Sequence, residues 1–470
     1  MQDREDYYES EEFQELLNEY ESSLEKGLPL FMDAEDLVEV ADFYESLGRR
    51  DEADVAIEKA LEKDPSCPSA LSFKVGDALE KGDLAMGHYY LDQIEDHEDP
   101  EYIYCNAELM LEEGRTKECD KMLQKELKAQ PEDEVDNFVL DVLNIYCDWE
   151  EWQLAAKWIK LIKPTDSNDL RELRGRIHYG LGGYEESEQI FKQLLDDNPF
   201  NLRHWNALAS SQFMLGRYQD ALESSEYAIA VDANSTDALL GKANALYHLD
   251  RFEEARDFFH RYCQLTDNDP LGVMNEASCL VAMNQIDEAT KMLEQLSVRQ
   301  DIDDDLLSDI HQQLAFCYGE QKQYEQAIAI LELSEPSQPS DQQATVLKGH
   351  LMLAAGKLDE AEATFHKAIN DSSEPMKTLL QVIVSLYDNG YLTMAHKMMG
   401  RFFNLQGENG HDGYGYMALF CHDLGYRKEY LKYLKLAVDH NLKETEQALK
   451  HLFPKGLEPS LYYTYETQQK

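Results

Sequence analysis

The residues best equipped for chemistry are scattered along this chain, and their spacing supplies no reaction. Asp301, Asp303, Asp304 and Asp305 crowd four carboxylates into one short run, the kind of cluster that can hold a cation. A calcium loop also needs a glycine turn and a closing glutamate, so the run reads instead as the solvated start of a helix. Gly407, Gly410, Gly413 and Gly415 lie close together, but no strand precedes them as a phosphate cradle requires, and a long loop between helices is expected. His88, His178, His204, His260 and His350 do not pair at ligand spacing. The eight cysteines, among them Cys67, Cys105, Cys119, Cys147 and Cys421, form no CxxC or CxxH pair and read as buried small hydrophobes. HExxH, GxSxG and Walker-type sequences are missing. The chain is therefore expected to be non-enzymatic, with no catalytic residue, cofactor or metal.

Charge narrows the partners. The formal net charge is −50. About 31 of those net negative charges fall in roughly the first 150 residues. Such a surface repels phosphate backbones and anionic membranes, which argues against nucleic acid, and it keeps copies of the chain apart in solution. Against that background Arg171, Arg174, Arg176 and Arg203 form a local positive patch. Guanidinium groups can grip an acidic segment through paired hydrogen bonds, although Glu172 or Asp169 on the same helix could satisfy them equally well. Met1 opens an acidic stretch with no signal-peptide core, and no apolar run approaches the roughly 20 residues of a membrane span. A soluble cytoplasmic protein without membrane insertion is expected.

The elements that must position these groups announce themselves by period. Ala221, Ala255 and Ala289 are 34 residues apart, and Ala327, Ala361 and Ala395 repeat the step. Extending the register gives about twelve units whose small position runs through Ala53, Gly87, Cys119, Ala155, Ser187 and those six alanines to Tyr430, a departure at the end. Four residues on, a large apolar side chain usually follows, as at Ile57, Leu123, Phe191, Phe259, Leu293, Phe365 and Leu434. Seven on comes another small or aliphatic residue, as at Ala60, Ala228, Ala368 and Ala437. That spacing is one face of a helix. Pro65, Pro131 and Pro199 stop it twelve residues on. A second amphipathic run, such as Trp205 to Leu215, precedes each turn and ends at a glycine such as Gly216. Each unit is thus a helical hairpin. The small position is where its helices approach most closely, so a larger side chain would force them apart.

The pattern resembles the tetratricopeptide repeat, most closely from Leu202 to Asn234, where Trp205, Leu208, Ala209, Gly216, Tyr218, Ala221 and Ala228 fall at the family's signature places. The overall sequence also resembles a multi-repeat protein of the Bacteroidetes group of bacteria. The resemblance implies an all-α, right-handed superhelical solenoid of about twelve helix-turn-helix repeats over residues 34–444. A helical cap over 1–33, built on Phe13, Leu16, Leu17, Tyr20 and Leu24, and a capping helix with a frayed tail over 445–470 would close its ends. The unit around Trp149, Trp152 and Trp158 is irregular, and the boundary near Pro336 to Asp341 looks like a lengthened loop.

In the family the first helix of each unit lines a concave groove that holds peptides or partner proteins. Mapped onto this chain, the groove candidates are Arg176, Tyr179, Arg203, Asn206, Ser210, Phe213, Asn244, Tyr247, Asn275 and His350. Asn244 and Asn275 stand where relatives use amides to hold a peptide backbone, since an amide both donates and accepts. Leu240 stands where clamps for a C-terminal carboxylate need a cation, which argues against that mode. The implied function is a scaffold for peptide segments or partner proteins. The alternative is a regulatory sensor whose superhelix responds to a small peptide or metabolite.

Overall fold

A computed structural model of the protein describes residues 7, 8, 10–26, 30–163, 167–334, 342–407 and 410–468. The lengthened loop expected between Pro336 and Asp341 lies outside them. Every regular element among the described residues is helical. The chain divides into two compact units, residues 1–217 and 218–470. In the first, helix Glu11–Lys26 precedes the hairpins Ala34–Ser46/Arg50–Lys63, Pro68–Glu80/Leu84–Leu91, Pro100–Glu112/Thr116–Leu127, Val135–Asp148/Trp152–Trp158 and Asn168–Gly180/Tyr184–Asp197, followed by helix Leu202–Met214. The second opens on Tyr218–Val231. It continues through Thr236–His248/Phe252–Leu265, Pro270–Ala282/Ile286–Leu296, Asp304–Glu320/Tyr324–Ser334, Gln342–Ala354/Leu358–Asp371, Pro375–Asp388/Leu392–Gln406 and Tyr414–Asp423/Arg427–His440. Helices Leu442–Leu449 and Tyr462–Gln468 close it.

Sterics at the small position organise each hairpin. All twelve small-position residues, from Ala53 to Tyr430, are buried, and most of the alanines are wholly inaccessible. The bulky residue four places later packs across onto the first helix, twelve places before the small position. A methyl group built on Gly349 would lie 2.5 Å from the Phe365 ring, and one on Gly175 would lie 2.9 Å from Phe191. Alanine holds the equivalent place at Ala41, Ala107, Ala243, Ala277 and Ala315, in register with Ile57, Leu123, Phe259, Leu293 and Leu331, so large and small side chains mesh like knob and hole. Tyr430 fits where the others are small because it stands at the end of the array. It is buried next to the final helix, with the Arg427 guanidinium 5.5 Å from its ring and His422 edge-on at 5.3 Å, and Arg427 is ion-paired to Glu466.

The turn inside each hairpin repeats just as strictly. Five residues before every small position the backbone adopts positive φ. Eight of these twelve places hold glycine, which accepts that conformation freely, but Glu150, Asp250, Asn284 and Lys322 hold it at φ between 56° and 61°. Lys322 is exposed, and only its backbone N–H is engaged in the turn, to the Gly319 carbonyl at 2.9 Å. Lys322→Gly is therefore expected to stabilise the second unit by about 1 kcal/mol, read as a higher urea midpoint at unchanged slope.

Three local readings are refined. The tryptophan-rich hairpin has a seven-residue second helix that passes into a 3-10 turn at Ile159, and the buried Trp158 indole donates to Asp120 Oδ1 at 2.8 Å. The aspartate run starts a helix: Asp303 accepts from the Leu306 N–H at 2.8 Å, and Asp301 accepts from the Arg299 side chain. The chain end, expected to fray, instead forms helix Tyr462–Gln468. Buried Tyr462 stacks on Phe453 at 3.9 Å, a tertiary contact that periodicity cannot report.

Candidate functional site

First helices of successive hairpins touch one another directly, for instance Pro68–Glu80 with Pro100–Glu112 and Gln342–Ala354 with Pro375–Asp388. They therefore form the inner layer within each unit. The face they leave uncovered follows one register. Counting back from each small position, it comprises places 18, 15, 14, 11 and 8, which share a side of a 3.6-residue helix.

In the second unit this face opens into a groove of about 750 Å³. Gln343, Val346, Leu347 and His350 contribute places 18, 15, 14 and 11 of one hairpin, and Lys377, Leu380, Gln381 and Val384 contribute the same four places of the next. Phe316, 43% exposed although large and apolar, supplies place 11 of the preceding hairpin. The closing helix walls the far end with Lys443, Glu444 and Gln447. An apolar stripe of Val346, Leu347, Leu380 and Val384 thus runs between glutamine amides. Lys377 pairs with Glu374 at 3.1 Å, whereas Lys443 has no carboxylate partner among the described residues. Burial holds the His350 imidazole below its usual range, so it stands neutral in the groove wall.

Glu444 fixes that far wall. Its carboxylate accepts the Gly413 N–H at 2.6 Å and the Gly415 N–H at 2.8 Å, at the start of helix Tyr414–Asp423. The glycine cluster is accordingly a loop whose amides hold an anion belonging to the chain itself. Burial pushes the Glu444 carboxyl up, opposed by these two donors.

In the first unit the same register gives a smaller cleft of about 400 Å³. Arg176, Tyr179 and Ser210 line it together with Asp148, Trp152 and Ala207. Arg176 is ion-paired to Asp148 at 2.6 Å, and Tyr179 meets the Tyr184 ring edge-on at 5.5 Å. Arg171 pairs with Asp197 at 2.6 Å. The arginine patch is thus partly neutralised, by carboxylates other than those expected on its own helix. Glu172 turns to His204 at 3.0 Å. Asn206 sits one turn from Arg203, and its amide oxygen is buried with no hydrogen-bond partner. Phe213 occupies place 8 of its hairpin.

Asn244, Tyr247 and Asn275 hold places 11, 8 and 14 of their hairpins, the register that lines the groove farther along, yet they line neither cleft. Tyr247 is edge-on to Phe252 at 5.3 Å. The residues that do shape the larger groove, Phe316, Lys377, Leu380, Gln381, Val384 and Lys443, were missed apart from their neighbour His350. Register arithmetic was the signal that could have found them.

The inner face is acidic toward the N-terminal end. Glu108, at place 11 of its hairpin, has its carboxyl pushed from 4.5 to about 7 by burial, with Asp148 and Glu101 adding to the rise. Between those values the folded chain binds the proton more tightly than the unfolded chain, so stability falls as pH rises through the window. Glu108→Gln should flatten that slope and stabilise the first unit by about 2 kcal/mol at pH 8, with little change at pH 4, measured by urea melts across pH.

Comparison with known proteins defines the class. Tetratricopeptide-repeat models match residues 37–67 and 173–230, and a tetratricopeptide repeat-like domain model matches 239–385. The chain belongs to the tetratricopeptide-repeat family, whose members are in general protein-interaction scaffolds, and no enzyme family is indicated. No curated protein sequence matches it. Among solved structures it is similar to a tetratricopeptide repeat protein from Parabacteroides merdae, at 17% identity and a TM-score of 0.40 over 61% of this chain and 98% of that one. The Cut9–Hcn1 hetero-tetramer of the APC/C matches at 12% identity and 0.40 over 96% and 95%. The human IFIT1 dimer with PPP-AAAA matches at 15% and 0.41 over 83% and 91%. Among the described residues no helix is long and apolar enough to cross a membrane.

Proposed function

We propose that this chain is a non-enzymatic scaffold that holds extended peptide segments of partner proteins along its inner helix faces, with residues 34–444 as the repeat array and the flanking helices as caps. One observation carries the reading. The same helical places, 18, 15, 14 and 11, line the groove in successive hairpins; place 15 is apolar in both, Val346 and Leu380, place 11 adds Phe316 and Val384, and Gln343 and Gln381 stand beside them. A ligand with its own regular spacing, an extended chain, matches such a repeat. Gln343, Gln381 and Gln447 can pair with its backbone in either sense, while Leu380, Val384, Val346 and Phe316 receive apolar side chains. Many modest contacts on a preorganised wall supply the affinity. Arg176, Tyr179, Arg203, Asn206 and Phe213 in the first unit, and Asn244, Tyr247 and Asn275 in the second, hold the same register places on the inner helices of their own units.

The test is selection from a displayed random-peptide library on the full chain, followed by affinity measurements with Leu380→Glu and with Val231→Glu, an exposed change outside the register. Selected peptides should carry spaced apolar residues and lose about tenfold or more in affinity to Leu380→Glu, as one buried charge against apolar surface costs over 1 kcal/mol. Peptides that bind both variants like the parent would place the binding surface elsewhere.

A further inference from the structure

Away from the inner groove, three side chains converge where the last two hairpins meet. His396 lies on helix Leu392–Gln406, Cys421 on Tyr414–Asp423 and Glu429 on Arg427–His440. His396 Nε2 is 3.3 Å from Glu429 Oε2, and Cys421 Sγ is 3.8 Å from the same oxygen. Their ligand atoms all lie within 4.8 Å of one another. No other group of three His, Cys, Asp or Glu ligands converges in this way among the described residues. We propose that His396, Cys421 and Glu429 form a binding site for a borderline-soft divalent cation of the Zn²⁺ class, joining hairpin Pro375–Asp388/Leu392–Gln406 to hairpin Tyr414–Asp423/Arg427–His440.

The geometry fits. Around a tetrahedral Zn²⁺ with bonds of about 2.0–2.1 Å to nitrogen and oxygen and about 2.3 Å to sulfur, neighbouring ligand atoms stand roughly 3.3–3.6 Å apart. The His–Glu separation already meets that spacing, the Cys–Glu separation needs a small closure, and the His–Cys separation, within 4.8 Å, closes by up to about 1.2 Å through side-chain rotation. The ligand set of one imidazole, one thiolate and one carboxylate suits zinc or cobalt and not the all-oxygen preference of magnesium or calcium. Cys421 is fully buried, while the Glu429 side chain is 52% exposed. A cation can therefore arrive from the carboxylate side and keep a water as fourth ligand.

Binding forms a sulfur–metal bond and breaks the Cys421 S–H bond, the proton passing to solvent. His396 offers the Nε2 lone pair with its ring proton on Nδ1, and Glu429 offers a carboxylate oxygen. No electron moves. Without the cation the Cys421 thiol donates to Glu429 Oε2 at 3.8 Å. Among the eight cysteines, all buried, Cys67 also meets a carboxylate, that of Glu35 at 3.4 Å, but no histidine joins them.

The experiment is titration of the reduced full-length chain with Co²⁺ as optical probe, then displacement by Zn²⁺. One equivalent of Co²⁺ should bind with a near-ultraviolet sulfur-to-metal charge-transfer band and intense visible bands of tetrahedral cobalt, both removed by one equivalent of Zn²⁺. Cys421→Ser should abolish the charge-transfer band. Glu429→Gln, an isosteric change at an exposed side chain that leaves the fold intact, should weaken Co²⁺ affinity about tenfold or more. Cys317→Ser, at another buried thiol, should change neither. A parent chain that shows no charge-transfer band, or a band that survives Cys421→Ser, would overturn the assignment and leave the three groups as a hydrogen-bonded cluster.

Discussion

Ala255→Arg should lower the melting temperature of residues 218–470 by roughly 10 °C. Ala255 is wholly buried at the small position of hairpin Thr236–His248/Phe252–Leu265, where the two helices lie closest. Ala243 and Ala245 on the facing helix are also inaccessible, so a seven-atom side chain has no cavity to enter. Forcing it in costs about 1–3 kcal/mol of overpacking. The guanidinium adds a buried charge without a partner, and a net loss of about 4 kcal/mol follows. Ala230→Arg, on the exposed side of helix Tyr218–Val231, supplies the control and should shift the melt by less than about 0.5 kcal/mol in equivalent free energy. Repeat arrays unfold segment by segment, so hydrogen exchange should localise the Ala255→Arg loss to the mutated hairpin and its neighbours. Equal melts for the two variants would mean that the small positions do not face the helix seam.

The same steric fact explains what the sequence revealed and what it hid. A residue that must be small because two helices cross leaves a mark at every repeat, and Ala53 through Ala395 carry it without interruption. Turn glycines mark the hairpins almost as well. They fail at Glu150, Asp250, Asn284 and Lys322, where packing on both sides fixes a backbone conformation that the residue disfavours. Asp250 also has a partner: its carboxylate meets Lys450, two hundred positions along, at 3.0 Å. Such contacts follow from how hairpins stack, which no local pattern encodes. His396, Cys421 and Glu429 are invisible for the same reason, being 25 and 8 positions apart on three different helices. The proposed binding face stands between these cases. Its helical register was readable and gave Arg176, Asn244 and His350, but the place where the face opens into a cavity depends on the spacing of successive helices. Thus Phe316 and Leu380 looked like ordinary apolar helix residues.

Glu444→Ala should destabilise the closing helix of the second unit by about 3 kcal/mol, the second-largest effect expected. Helix Tyr414–Asp423 begins at Gly413, whose φ of 87° and lack of a side chain leave the first amides without a local cap. Glu444 reaches them from helix Leu442–Leu449 and accepts both the Gly413 and Gly415 N–H groups. A Cβ on Gly415 would sit 3.1 Å from the Glu444 carbonyl and side-chain oxygens, so glycine there is a condition of the contact. Alanine at 444 strands two buried donors and removes the favourable charge at a helix N-terminus. Glu444→Gln keeps one acceptor but turns an amide donor toward the other N–H, so its loss should be intermediate. Because burial raises the Glu444 carboxyl above its usual range, the folded chain binds its proton more tightly than the unfolded chain, so mild acid should not destabilise this anchor as mutation does. Limited proteolysis would read the effect as cleavage within residues 441–468 of the Ala variant under conditions that spare the parent. Lys443 and Gln447 ride on the same helix and wall the groove, so peptide affinity should fall with Glu444→Ala even though its carboxylate has no need to touch the ligand. Lys443→Ala, which leaves the anchor in place, should resist protease like the parent, and that contrast separates the integrity of the groove wall from direct contact with the peptide.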